Sequence, residues 1–261
     1  MNNDRWLDTR TLPRVERLMT NVLLAGESWQ LLTFEIKGQD VLTGASYDEA
    51  PDHLVAALEV AGASVTYQPC HVATREFPRT RAELEAYDLV ILSDIGADTL
   101  QLTPQVRRGE ADVDRCELMA SYVEDGGALG MIGGYMSFAG VNGQARYNRT
   151  ALADVLPVSI GPGDDRVEAP AGVRPTNEGV PGADLDDEWP AVLGYNRVVA
   201  DADADVWATV GDDPLVAVGS YGDGRTFAFT TDCAPHWAPP AFLEWDGLPT
   251  LWEALLGYVT G

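Results

Sequence analysis

Short apolar runs and segments of helical spacing alternate through the first half of the chain. "NVLLAGESW" (21–29) is an apolar run ending in Gly, the pattern of a strand buried on both faces. The stretch 30–45 shows no clear period and reads as irregular. "SYDEAPDHLVAALEVAG" (46–62) reads as a helix, with Ser46 and Glu49 spaced as a capping box and Gly62 as its stop. "ASVTYQP" (63–69) is a second strand, "RTRAELEAY" (79–87) a short helix and "DLVILSDIGAD" (88–98) a third strand. "DRCELMASYVEDGG" (114–127) is a further helix, and "ALGMIGG" (128–134) a fourth buried strand. This β-α-β alternation predicts a flavodoxin-like α/β fold, a mostly parallel sheet with helices on both faces.

The texture changes after residue 150. "TALADVLPVSI" (150–160) is short helix and turn, and 161–200 is rich in Gly, Pro and Asp. "ADVWATVG" and "PLVAVGSYGDGRTFAFTTD" read as antiparallel strands with a hairpin turn at 221–225. "LPTLWEALLGYVTG" (248–261) is an amphipathic helix. The organisation expected is one domain over 1–261, with an arm at 1–20 and a β-rich extension at 161–230. No linker or internal repeat divides it.

Composition adds one strong constraint. The chain has 261 residues, 17 basic and 41 acidic, a net charge of −24. Its one lysine is Lys37. A surface of this kind repels phosphate, so nucleic-acid and anionic-membrane partners are not expected. It resembles the surfaces of proteins from salt-loving archaea. No run of about 18 apolar residues exists, and the charged first residues lack a secretory pattern, so a cytoplasmic protein is expected. Three scattered cysteines, Cys70, Cys116 and Cys233, and three histidines form no ligand pattern; neither metal nor cofactor is expected.

In an open parallel sheet, ligands bind beyond the C-terminal strand ends. Those ends carry Glu27, Ser28 and Trp29, then Asp94, then Gly133, Gly134, Tyr135 and Ser137, then Asp232, Cys233 and His236. Each admits a structural reading beside the functional one. Asp94 is a possible helix cap, the glycines relieve a tight turn, and Cys233 is a small apolar residue. Arg146 is either an anion ligand or a partner for one of the many acids.

"GGALGMIGGYMSFAGVNGQARYNRTALADVLPV" and "FTTDCAPHWAPPAFLEWDGLPTLWEALLGYV", with "VLLAGESW", resemble a family of glutamine amidotransferase-like bacterial and archaeal proteins. The resemblance spans roughly 21–260 and implies the class I glutamine amidotransferase fold. Typical members of that superfamily carry a cysteine nucleophile at a turn after the fourth strand, activated by a histidine. Here Gly133, Gly134 or Tyr135 stands at that turn, and His236 is followed by Trp237 and Ala238. Two functions follow. One is a non-canonical hydrolase or amidotransferase acting on a small polar metabolite. Its nucleophile would be Cys233 or Ser137, its base His236, and its oxyanion donors the amides around Gly134. The other is a non-catalytic module that binds such a molecule through the same edge, or an assembly component. The Trp- and Leu-rich segment 236–256 fits either a core or a homo-oligomer interface.

Overall fold

A computed structural model describes residues 19–261. The expected arm at 1–20 lies outside the described residues up to residue 18. Fourteen strands follow: β1 (Thr20–Gly26), β2 (Ser28–Lys37), β3 (Asp40–Glu49), β4 (Ala63–Gln68), β5 (Leu89–Ser93), β6 (Ala128–Ile132), β7 (Val158–Ser159), β8 (Arg166–Val173), β9 (Thr176–Asn177), β10 (Val192–Asn196), β11 (Val199–Ala200), β12 (Asp205–Val210), β13 (Asp213–Tyr221) and β14 (Gly224–Phe229). The helices are α1 (Asp52–Val60), α2 (Cys70–Glu76), α3 (Arg81–Leu84), α4 (Ala97–Gln101), α5 (Arg115–Glu124), α6 (Pro240–Leu243) and α7 (Leu248–Thr260).

An eight-stranded sheet of order β4-β1-β5-β6-β14-β13-β12-β9 organises the molecule. Its first five members are parallel, and β13, β12 and β9 extend it by antiparallel pairing. β14 is the hinge between the two halves. It leaves β13 through a two-residue turn at Gly222 and Asp223, then runs parallel to β6. β9, β12, β13 and β14 of the β-rich extension are therefore part of the same sheet, while β8 pairs with β10 and β7 with β11 in two small sheets of their own. The extension delivers residues 230–236 to the same edge as β1, β5 and β6.

The central strands are buried on both faces, which is why they read as continuous apolar runs. Along β1, Val22 and Leu24 enter one core while Leu23 and Ala25 enter the other. Along β14, Phe227 and Phe229 join the first core and Ala228 the second. Helices α1 and α7 cover the first face, through Leu54 and Leu58 and through Leu251, Trp252 and Leu255. Helices α2, α4 and α5 cover the other, through Ala73, Leu100, Cys116, Met119 and Val123. The Trp- and Leu-rich segment thus packs as core, with Trp237 and Trp252 at most 1 % exposed.

Two sequence expectations are corrected. The stretch 30–45 is not irregular: it forms most of β2 and β3, a regular hairpin whose turn holds Gly38 at φ 66°. β-branched and aromatic residues around Gly38 carried that signal. The helix expected over 46–62 begins only at Asp52, because 46–49 belongs to β3 and Pro51 keeps Ala50 out of helical geometry. Ser46 therefore caps no helix, whereas the capping box present in the structure joins Thr80 and Glu83 at the start of α3.

One contact sets the spacing of the site edge. Gly133 N–H donates to the carbonyls of Phe229 and Thr231, at 2.7 and 3.0 Å. A Cβ at Gly133 would lie 2.1 Å from the Thr230 carbonyl oxygen. The obstacle is backbone and cannot swing aside. Gly133→Ala is expected to cost about 2 kcal/mol or more by forcing β6 and β14 apart. Thermal unfolding should then fall by about 4–8 °C, and an unchanged transition would show that the edge is plastic.

Candidate functional site

Two carboxylate residues sit in left-handed backbone geometry at neighbouring strand ends. Glu27 follows β1 at φ 44°, and Asp94 follows β5 at φ 44°. Such conformations cost about 1 kcal/mol or more for a residue with a Cβ, and they gather at functional sites. The surroundings impose them. Gly26 presses so closely on β5 that a Cβ there would stand 1.6 Å from the Ser93 carbonyl oxygen. Glu27 N–H donates to that same carbonyl at 3.0 Å. The Tyr67 hydroxyl donates to the carbonyls of Gly26 and Glu27, at 3.2 and 3.0 Å. The carboxylate of Glu27 is buried and accepts from the Ser93 hydroxyl.

The glycine turn after β6 carries a row of backbone N–H groups, and remote acceptors occupy them. Gly134 N–H donates to Asn196 Oδ1 at 2.9 Å. Met136 N–H donates to Asp94 Oδ1 at 2.7 Å, and the Tyr135 N–H also faces that carboxylate. Ala139 and Gly140 donate to Asp165, at 2.8 and 3.0 Å, and Asn142 donates to Asp164 at 2.9 Å. Asp94 can reach the turn because Gly134 has no side chain: a Cβ there would lie 2.8 Å from Asp94 Oδ1. Asp94 thus fills the nest of amides in which a reaction intermediate's oxyanion would rest. The amides around Gly134, expected as oxyanion donors, already have acceptors.

The third contribution comes from the chain leaving β14. Thr230 and Thr231 are buried and anchored by hydroxyl donation to the carbonyls of Pro214 and Gly194, both within 2.9 Å. Asp232 is next, accepting from Ala234 N–H at 3.0 Å. Donor atoms of Glu27, Asp232 and Cys233 lie within 4.8 Å of one another. Two carboxyl groups and a thiol therefore share one corner, with Asp94 close enough to act on them, and any cation or proton that enters offsets their repulsion. Burial, then the charge of Asp94, raises the Glu27 carboxyl to about 8. Burial, then Glu27 and Asp94, pushes Asp232 well above the usual carboxylate range. Burial also raises Asp94, while the Met136 N–H and the nearby His236 pull it back. The Cys233 thiol, buried and facing Glu27 and Asp232, is pushed far up and stays protonated. A thiol in that state is a weak nucleophile.

A cavity of about 810 Å³ opens over this corner. Of the residues singled out from the sequence, Glu27, Trp29, Asp94, Tyr135, Asp232 and His236 line it. The ring of Tyr135 meets His236 edge-on at 4.6 Å and Trp237 at 5.7 Å. Its hydroxyl donates to Glu168 at 3.0 Å while Arg166 lies over its face. The other candidates stand behind the wall or away from it. Ser28 accepts from Cys70 N–H at 2.8 Å, and Ser137 accepts from Asp94 N–H at 3.1 Å. Gly133 and Gly134 are buried in the turn. Cys233 is 3.4 Å from the Ser93 hydroxyl and 5 % exposed. Arg146 takes the second of its two readings, holding Asp98 at 2.8 Å outside the lining.

Several contributors were not picked out from sequence. Asn196 and Asp165 lie 62 and 26 residues from the amides they hold, with no local motif to mark them. Leu31, Asp48 and Glu49 enter the lining from the hairpin. Its alternating residues were the one available signal.

Comparison with known proteins bears on this geometry. The family described as "Putative glutamine amidotransferase" matches residues 21–261. A cytoplasmic protein of Salmonella typhimurium LT2, STM1381, is 38 % identical, with 93 % of this chain and 100 % of that one covered at a TM-score of 0.88. A second Salmonella typhimurium cytoplasmic protein, STM3548, is also 38 % identical, covering 91 % and 98 % at a TM-score of 0.87. A ThuA-like protein from Parabacteroides merdae shares the fold alone, at 13 % identity, 93 % and 92 % coverage and a TM-score of 0.51. A search of curated proteins returned no match. Among the described residues, no helix is long and apolar enough to cross a membrane.

The raised carboxyl of Glu27 makes a signed prediction. The folded state holds this proton more tightly than the unfolded chain does, so its contribution is complete below the ordinary glutamate range. That contribution is lost as pH rises towards about 8. Glu27→Gln keeps the shape and removes the titration. The wild type should therefore lose stability relative to this variant between roughly pH 4.5 and 8, read as diverging melting temperatures. Parallel pH curves would contradict a proton held at Glu27.

Proposed function

The chain belongs to the glutamine amidotransferase-like family, and from that premise we propose that it is an acid–base hydrolase or transferase whose carboxyl groups stand in for the missing thiolate. The substrate is a small polar molecule, neutral or cationic, bound in the cavity over Glu27, Asp94 and Asp232. In this reading Asp94, beside His236, accepts the proton of an attacking water or acceptor amine. A protonated Glu27 or Asp232 gives a proton to the departing group. General acid–base pairs of this kind contribute about 10²–10⁴-fold each, and they work best with pKa values near the operating pH. One observation carries the proposal: a carboxylate seated on the turn amides, backed by two carboxyls whose burial favours their protonated form.

Free glutamine fits this cavity poorly. Its α-carboxylate would enter a lining with five acidic residues, Glu27, Asp48, Glu49, Asp94 and Asp232, and among the described residues no arginine or lysine is in it. An amide or amine without that carboxylate avoids the repulsion. The occupied turn amides favour one other reading, a binding module without turnover.

A panel of neutral and cationic amides, amines and sugars, with glutamine as control, tests this. Thermal shift measures binding and mass spectrometry measures conversion. At least one neutral or cationic probe should stabilise the protein, by about 2.7 kcal/mol at a hundredfold excess over Kd. Its conversion should fall about 10²-fold or more in Asp94→Asn, while unfolding shows the variant intact. Binding with no conversion of any probe selects the module. Glutamine hydrolysis lost in Cys233→Ala but kept in Asp94→Asn would restore the thiol route and overturn the proposal.

A further inference from the structure

The hairpin of β2 and β3 is the part of the molecule that its own core does not explain. Among the described residues it forms a separate two-stranded sheet, paired only within itself, and every residue from Trp29 to Glu49 is exposed. Eight of the thirteen large apolar side chains exposed among the described residues belong to it. Such residues are unremarkable when scattered and informative when gathered.

The register sorts them by face. Cross-strand partners share a face, so Gln30, Leu32, Phe34 and Ile36 lie with Tyr47, Ala45, Thr43 and Val41. From Gln30 and Tyr47 out to the turn that face carries no charge, in a chain of net charge −24; its one carboxylate, Glu49, sits at the base and accepts from the Tyr47 hydroxyl. Leu32, Phe34, Ile36 and Val41 on it are 56 to 70 % exposed. The opposite face takes Glu35, Lys37, Asp40 and Asp48, and near its base Trp29 and Leu31 line the cavity. An isolated two-stranded hairpin is marginal in water, and one this long with a bare apolar face needs a cover.

We infer that the cover is a second copy of this chain, and that the two copies exchange hairpins through the uncharged face. Charge selects the partner. Anionic lipid and nucleic acid are repelled by the protein as a whole, and a basic protein would be drawn to the acidic surface rather than to this uncharged stretch. Two copies meeting along that stretch bring no carboxylates together at the contact, salt screens the repulsion between their bodies, and a shared patch is what a two-fold interface requires. Area selects the geometry. Ten residues at about 3.3 Å each and a width of about 10 Å give a face of roughly 330 Å². A stable dimer buries about 800 Å² on each partner. Hairpin-on-hairpin stacking alone falls short, so each arm also reaches the body of its partner. Assembly then fixes the cavity wall made by Trp29 and Leu31.

Light scattering and analytical ultracentrifugation of the full chain, in dilute and in concentrated KCl, test the inference. The wild type should be a dimer or a larger even-numbered assembly. Phe34→Ser with Ile36→Ser should raise the dissociation midpoint at least tenfold, while Val199→Ser, an exposed apolar change elsewhere, leaves it alone. Should the double variant misfold, Thr43→Cys with a bis-maleimide supplies a second test, with a covalent dimer expected. A wild-type monomer in both salts, an unshifted midpoint in the folded double variant, or absence of the cross-linked dimer overturns it. A monomer that binds zwitterionic lipid vesicles through this face overturns it as well.

Discussion

Everything at the sheet edge depends on finding acceptors for the backbone N–H groups of the turn after β6. A buried amide without a partner costs about 1–3 kcal/mol, and this turn presents several in succession. Asn196, Asp94 and the adjacent Asp164 and Asp165 meet that need from three places in the chain. The consequence reaches beyond the loop. Asp94 has to leave β5 in a strained conformation to arrive there, and Gly134 has to lack a side chain to admit it. The turn geometry and the position of the acid are one solution to one bonding problem.

The same arrangement decides the electrostatics. Two charges about 4 Å apart at an effective dielectric near 20 interact by about 4 kcal/mol. Glu27, Asp94 and Asp232 cannot all be ionised in one corner against that repulsion and the loss of water. Among the described residues, no lysine or arginine is in the lining to relieve them. Burial favours the protonated form of the deeper two, most plainly Glu27, while the turn amides and His236 favour charge on Asp94. The differing environments of chemically similar groups separate a proton donor from a proton acceptor. The cysteine beside them follows the opposite rule: the surroundings that keep Glu27 protonated also keep Cys233 a thiol.

Much of the frame was legible from periodicity. The strands 89–93 and 128–132 are buried on both faces, and their unbroken apolar character says so. The 221–225 turn could be read because Gly-Asp in a two-residue loop has a known geometry. The hairpin at 28–49 was missed because the alternation of Leu32–Lys37 is short, and in the second strand the adjacent Val41 and Leu42 break it. The helix after it was placed early because Ser46 and Glu49 satisfy a spacing rule that the cross-strand partners Leu31 and Ser28 override. At the site, Glu27, Asp94, Tyr135, Asp232 and His236 could be gathered from strand ends alone. The inward positions of Ser137 and Cys233 could not, since whether a side chain points into a cavity or behind it depends on one turn's dihedral angles. Asn196 and Asp165 act over long sequence distances, and nothing local distinguishes them from other polar residues.

The single lysine gives the arm a chemical individuality. Lys37 closes the hairpin and pairs with Glu35 at 3.0 Å, with its side chain 64 % exposed. Every other basic side chain is an arginine or a histidine, so acylating reagents find one ε-amine in the whole chain. A fluorophore or isotope label attached there reports on the tip of the arm alone. The acidic composition thereby leaves a single side-chain amine, and it sits on the segment that leaves the body of the protein.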